Sequence, residues 1–289
     1  MTAPLQPLRI GGVPEHFNLP WRLLLESGAL RRAGIDASWE PFFGGTGDMV
    51  AALDNDELDM ALLLTEGAVA AAAKGSTFKI VSVYVESPLL WGIHVPAQSD
   101  LAREEALRGQ RYAISRYGSG SHLMSFVHAR ERGWPTKDLK FEVVGRLDGA
   151  REALAANQAQ IFFWEKYTTQ PYVTNGEFRR VADFPSPWPC FVVAVTEKML
   201  AMAPEACAVA LRAVMASAFT LLRRDDVVPL IAQRYNLDVP SVEAWLAVTR
   251  FATRIGVDQT MIDGVAQTLL ELGIIDVGQR QRPLIATLD

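Results

Sequence analysis

The run Ser115-Arg116-Tyr117-Gly118-Ser119-Gly120-Ser121-His122 is the densest group of residues able to hold a charged small molecule. It follows a short apolar run at residues 110–114 and precedes Leu123, Phe126 and Val127 at helical spacing, so it reads as a strand, a turn and a helix start. Gly118 and Gly120 would let backbone N–H groups approach a ligand. The helix N-terminus would add partial positive charge, with Ser119 or Ser121 as its cap. Arg116 could clamp an anion with two N–H groups, so a phosphate, sulfonate or carboxylate suits the run. The same residues also suit a plain tight turn. A dinucleotide is disfavoured, because Leu123 stands where the third glycine of G-x-G-x-x-G would be.

Other candidates share one kind of place, the end of an apolar run. Glu66, Glu86 and Glu165 each follow such a run, and three acids converging on one cleft need a cation or a donor-rich ligand to meet them. Each could instead cap a helix or pair with Arg116 or Lys166. Glu15 and His16 follow the first run, Gly45 and Thr46 lie in a glycine-rich turn, and Ser87 precedes Pro88. Trp21, Trp91, Trp164 and Trp188 are placed to wall a cleft and would suit a flat ring, although Trp21 also fits a core. His122 could donate to an anion at the helix start, while His94 and His128 read as structural. No histidines share a metal-ligand spacing, and Cys190 and Cys207 offer neither a metal motif nor a disulfide framework. A nucleophile elbow is absent, since Gly118-Ser119-Gly120 lacks the G-x-S-x-G spacing. No cofactor motif is present.

The elements that must position these residues repeat as strand and helix. Strands are expected at residues 8–13, 37–42, 59–64 and 78–85, and again at 110–114, 139–144, 160–164 and 190–195. Helices are expected at 19–33, 48–53, 67–73, 121–132, 148–157 and 167–174, and throughout the chain beyond Glu197. The pattern restarts near Trp91 and breaks again at Pro185-Ser186-Pro187-Trp188-Pro189, where proline removes ladder donors. The expected architecture is α/β and two-lobed. Lobe 1 takes residues 1–90 and 191–289, lobe 2 takes residues 91–190, each with a mostly parallel sheet, and a helical C-terminal extension sits on lobe 1. Ligands of open parallel sheets sit outside the carboxyl ends of the strands, so the loops after the strands rank first.

Composition narrows the class. A chain of 289 residues with 49% hydrophobic residues can bury two cores, which excludes disorder. A net charge of -5 with no basic run argues against nucleic acid or an anionic membrane as partner. No apolar run of about 20 residues stands out, so membrane insertion is not expected. The first residues lack a basic n-region and an apolar h-region, which points to a cytoplasmic protein, or a periplasmic one if the true start lies upstream.

Gly12-Val13-Pro14-Glu15-His16-Phe17, Gly44-Gly45-Thr46-Gly47-Asp48-Met49, Leu64-Thr65-Glu66-Gly67, Tyr84-Val85-Glu86-Ser87-Pro88, Ile114 to Ser121 and Phe163-Trp164-Glu165 together resemble the type II periplasmic-binding-protein superfamily. More narrowly, they resemble its alkanesulfonate-binding and thiamine-pyrimidine-synthase-like branch, in a subgroup without export signals. The likeness covers essentially the whole chain. It implies two lobes closing on a small polar, anion-bearing molecule, with heterocycles among the candidates and an ABC permease as partner for an exported form. The synthase members carry a cysteine-rich iron-binding motif, which two isolated cysteines do not match. Two other functions stay open. One is an enzyme of this fold in thiamine-related or other cofactor metabolism, with Glu86 or Glu165 and His16 as acid and base. The other is a cytosolic ligand sensor.

Overall fold

The computed structural model describes residues 5–288, so the first four residues assigned to lobe 1, and its last, lie outside the described residues. The chain opens with strand β1 (Gln6–Gly12), helix α1 (Leu19–Glu26), α2 (Ala29–Arg32), β2 (Ile35–Pro41), α3 (Thr46–Asp54), β3 (Met60–Leu64), α4 (Thr65–Lys74) and β4 (Phe78–Val85). It continues with β5 (Leu90–Pro96), β6 (Arg111–Ile114), α5 (Gly120–Glu131), β7 (Lys140–Val143), α6 (Leu147–Ala155), β8 (Ile161–Glu165), α7 (Gln170–Thr174), β9 (Phe178–Pro185) and β10 (Phe191–Thr196). Helices α8 (Glu197–Met202), α9 (Pro204–Leu221), α10 (Val227–Tyr235), α11 (Val239–Val248), α12 (Gln259–Glu271) and α13 (Val277–Arg280) complete it.

These strands form two sheets of five, in the orders β2-β1-β3-β10-β4 and β7-β6-β8-β5-β9. The molecule is two-lobed and α/β. Each sheet is mostly parallel: β10 runs antiparallel to both its neighbours in the first, and β5 does so in the second. The runs Met60–Leu64 and Ile161–Glu165 are almost wholly buried, as central strands covered on both faces must be.

The chain passes between the sheets at residues 86–89 and again at 186–190. The two passages are tied side by side. Ser186 N–H donates to the Leu89 carbonyl at 2.9 Å, Leu89 N–H donates to Ser186 Oγ at 3.0 Å, and Cys190 N–H donates to the Ser87 carbonyl at 3.1 Å. The C-terminal helices pack on the first sheet: α9 lies against α1 and α12 against α4. The segments between and beyond them bridge the edge strand β4, Phe251 to Val85 and Ile285 to Ile80.

Several sequence expectations change here. The helix foreseen over residues 19–33 is two helices, because Gly28 adopts a left-handed φ of 68° between them. Strands β5 and β9 were not foreseen. β5 is buried on both faces and shows no alternation, while β9 is a half-buried edge strand of mixed polarity. Helix α9, 18 residues long, is apolar and long enough to cross a membrane by length and composition, contrary to the reading that no run stands out. It carries Glu205 and Arg212, buries Leu211, Val214, Ala218 and Leu221, and fixes itself to lobe 1 by a 2.8 Å hydrogen bond from Ser217 Oγ to the Pro20 carbonyl. One face of α9 is therefore packed on lobe 1. Cys190 and Cys207 are free and buried.

Candidate functional site

The carboxyl ends of the central strands of both sheets face each other across a cavity of about 70 Å³, several times the roughly 10–15 Å³ that one water needs. Lobe 1 contributes Val13 and Glu15 after β1, Gly44, Gly45 and Thr46 before α3, Leu64 at the end of β3, and Phe191. Lobe 2 and its passage contribute Leu89, Trp91, Ser115, Arg116, Ser119, Gly120, Ser121, Trp164 and Glu165.

Local chemistry explains each placement. Antiparallel pairing of β5 with β8 puts Trp91 opposite Glu165. Ser119 caps α5 in extended conformation, its Oγ accepting from His122 N–H, while Ser121 Oγ accepts from Ser115 N–H at 3.2 Å and lies 3.1 Å from Ser119 Oγ. The two serines therefore hold the turn rigid at the cavity wall. Thr46 Oγ1 accepts from Leu64 N–H at 3.1 Å and so fixes α3 against the end of β3. Gly120 lies close against Leu64 of the other lobe and the Trp91 ring. A Cβ there would collide with Leu64 and stand 2.9 Å from the Trp91 ring.

Arg116 reaches across the gap. Its Nη1 donates to the Gly44 carbonyl and lies 3.5 Å from Asp48 Oδ1, and its guanidinium covers Gly47, where a side chain would have to displace it. Its Nη2 is buried without a partner. Trp91 Nε1 is likewise buried and unpartnered, as is Glu165 Oε1. Glu165 Oε2 is satisfied by Thr168 N–H at 2.7 Å and Thr168 Oγ1 at 2.8 Å. The residues that carry these unpartnered donors and this unpartnered acceptor all line the same cavity.

The acids there are held well above the usual carboxylate range. Burial pushes Glu165 up to about 7 against the pull of the Thr168 bonds. Glu15 is partly exposed as a residue, but its carboxyl group sits in the gap between the lobes. Desolvation, with the Glu165 charge facing it, takes it to about 8. Glu66 lies just behind the cavity wall rather than on it. It is almost fully buried, and its Oε2 accepts from Trp188 Nε1 at 2.8 Å while its Oε1 has no partner. Burial raises it to about 7, and Glu66 and Glu165 both add to the burial that raises the Cys190 thiol.

The structure assembles Glu15, Gly45, Thr46, Trp91, Ser115, Arg116, Ser119, Gly120, Ser121, Trp164 and Glu165 from the sequence candidates. The others are elsewhere. Glu86 is exposed, because residues 250–252 cover the end of β4 and its N–H donates to the Arg250 carbonyl at 2.7 Å. Ser87 is buried against the same C-terminal segment, its Oγ accepting from Arg250 N–H at 3.1 Å. His16 is an aromatic-core residue, with ring centroids 4.5 Å from Trp245 and 4.8 Å from Phe17, and burial lowers it to about 3. The acid–base pair of His16 with Glu86 or Glu165 is therefore not formed at the cavity. Gly118 turns the chain with φ 81° and donates its N–H to His122 Nδ1 at 3.1 Å. His122 packs among Tyr117, Phe126 and Phe141 instead of facing an anion. Trp21 is core, and Trp188 serves Glu66.

Val13 and Gly44, which begin two of the loops ranked after the strands, also line the cavity, as do Leu64, Leu89 and Phe191, which the sequence does not mark as site residues. Four of them are apolar, and only their positions beside the ends of strands could have marked them. Among the described residues, no group of three or more His, Cys, Asp or Glu side chains could hold a metal ion.

Residues 91–184 match the family model described as Ca3427-like PBP. The CA3427 gene product of Candida albicans, described as defining a family with the generic periplasmic binding protein fold, superposes with a TM-score of 0.90 at 25% identity, covering 99% of this chain and 98% of that one. The chain has the type II periplasmic-binding-protein fold. The alkanesulfonate-binding protein SsuA of Xanthomonas axonopodis pv. citri, bound to MOPS, gives a TM-score of 0.83 at 19% identity over 99% of this chain and 100% of that one. A periplasmic nitrate-binding protein from Synechocystis gives 0.72 at 12% identity over 96% and 84%. No curated protein matches the chain.

Proposed function

We propose that this protein is a solute-binding protein whose lobes, residues 5–90 with 191–288 and residues 91–190, close on a small polar, anion-bearing molecule. The observation that carries the reading is the cavity itself. Both lobes wall it, and Arg116 and Trp91, whose Nη2 and Nε1 donors have no partner, are among its lining residues beside Leu64, Trp164 and Phe191. Buried donors without partners cost about 1–3 kcal/mol each, and a ligand oxygen meeting them recovers that cost. The neighbours that bind sulfonate and nitrate support an anion at this end, and Trp91 with Trp164 would flank a flat ring. Arg116 spans the gap, so the same side chain would hold the anion and latch the lobes.

An ABC permease as partner is consistent with such neighbours and rests on them alone. Native mass spectrometry of freshly purified protein tests the reading. A retained small molecule bearing an anionic group is the expected result. Conversion of that molecule on incubation would replace recognition with catalysis.

A further inference from the structure

Arg116 and the Trp91 indole account for one kind of group on a ligand, yet the same cavity ends in acid. Glu165 comes from β8 in lobe 2 and Glu15 from the loop after β1 in lobe 1, so the two carboxyl groups face the space from opposite lobes. Glu165 is 4% exposed and keeps one oxygen without any hydrogen-bond partner. A buried acceptor of this kind costs free energy unless a donor meets it, and nothing on the protein does so. Arg180, the nearest cation to act on Glu165, is committed to Asp183, Gln170 and the Lys166 carbonyl. Lys166 itself is paired with Asp183.

We infer that the solute is a zwitterion, with its anionic group at Arg116 and a cationic nitrogen held between Glu15 and Glu165. This deepens the solute-binding reading and rests on it. An ammonium or amidinium brings N–H donors to Glu165 Oε1 and a positive charge to both acids, whereas a neutral donor satisfies the oxygen without favouring their ionisation. The cavity of about 70 Å³ limits the molecule to a short spacer between its two charges.

The arrangement also sets a proton balance. Before the cation arrives, the facing acids hold protons near neutral pH, since burial and their mutual repulsion disfavour charge. The other groups acting on them are Arg180, Tyr167 and Cys190 beside Glu165, and Tyr235 beside Glu15. Only Arg180 among them is cationic, and it already acts in the unliganded protein. Entry of the cation therefore expels a proton from the acid pair to solvent. Affinity for a zwitterion accordingly rises with pH across the neutral range.

The test is calorimetry on the whole chain with matched probes that differ by one amine: aminopropanesulfonate against propanesulfonate, and aminobutyrate against butyrate. The aminated member of at least one pair is expected to bind tighter by about tenfold or more, the ratio one charge-assisted hydrogen bond supplies. Its binding enthalpy should vary with the ionisation enthalpy of the buffer, reporting proton release. Glu165→Gln, which keeps an oxygen for Thr168, should erase both the preference and the proton release. Glu15→Gln, at a partly exposed residue, should weaken both without threatening the fold.

Equal affinity within each pair, no binding by any of the four probes, or an amine preference that survives both substitutions would overturn the zwitterion. A separate measurement keeps the two readings apart. A molecule retained through purification that lacks a basic nitrogen removes the zwitterion and leaves solute binding standing. A retained molecule that crosslinks outside the cavity removes both.

Discussion

Glu165 and Glu86 each stand at the end of an apolar strand, and the fold treats them oppositely. Glu165 ends β8 in the middle of the second sheet, where its carboxyl end opens on the other lobe, and it is 4% exposed with one oxygen unpartnered. Glu86 follows β4, an edge strand whose end is closed by Arg250, Phe251 and Ala252 from the C-terminal segment, and it points to solvent. Glu66, after the central strand β3, is buried like Glu165, but Trp188 from the second passage meets its carboxylate and it is not among the residues lining the cavity. A strand end becomes part of a site when its strand is central and no later segment fills the space beyond it. The rule is geometric, and it separates residues that their local sequence makes alike.

The largest expected effect contrasts Glu66 with Glu86. Glu66 titrates near 7 in the folded protein against an ordinary 4.5, so between those values the native state holds a proton that the unfolded chain has released. Stability must then fall as pH rises through that window, by on the order of 3 kcal/mol for the full shift, and flatten outside it. Urea denaturation at a series of pH values should show this slope. Glu66→Gln should remove the Glu66 share, roughly a third of the total, and leave the slope that Glu15 and Glu165 contribute. Glu86→Gln should leave it unchanged, and a slope that moves equally in both variants breaks the comparison.

Arg116→Ala comes next. Loss of a charge-assisted contact with the ligand anion is expected to cost about 1.5–3 kcal/mol, roughly tenfold to a hundredfold in affinity. Part of the side chain is exposed, which places the effect toward the lower figure. Calorimetry with the retained solute measures it, and Arg116→Lys should restore charge without restoring the two-pronged contact.

A third substitution works within one loop. Gly120→Ala puts a methyl against Leu64 and Trp91 and should resist closure, costing about 1–3 kcal/mol in ligand affinity by overpacking. Leu64→Ala in the same chain should relieve part of that cost. At Gly118 a Cβ meets nothing, but the backbone is left-handed, so Gly118→Ala should lower thermal stability and leave affinity in place. The smallest effect belongs to Glu86→Gln, for which both affinity and stability should stay within about 0.5 kcal/mol of the parent.

Much of this architecture is written in local pattern. The unbroken apolar runs before Glu66 and Glu165 announce central strands, and the Gly-Ser turn after Ile114 announces a helix start at the cavity. What stayed hidden depends on contacts between distant segments. Nothing near Glu86 reveals that residues 250–252 will close off its strand end. Nothing near His16 reveals Trp245, more than two hundred residues later, packing on its ring. The apolar lining residues Leu64, Leu89 and Phe191 look like any other core residues, since only the meeting of two lobes turns them into walls. β5 and β9 escaped for a related reason: one is buried on both faces and the other is a mixed edge, and neither shows the alternation of a half-buried strand.

Closure of two lobes on a solute is the central claim, and small-angle X-ray scattering reads it directly. The protein stripped of its retained molecule by dialysis under mild denaturant, then refolded, should contract when that molecule is restored at saturating concentration. Gly120→Ala should contract less under the same conditions. A radius of gyration that stays constant while calorimetry shows the solute bound would contradict the account.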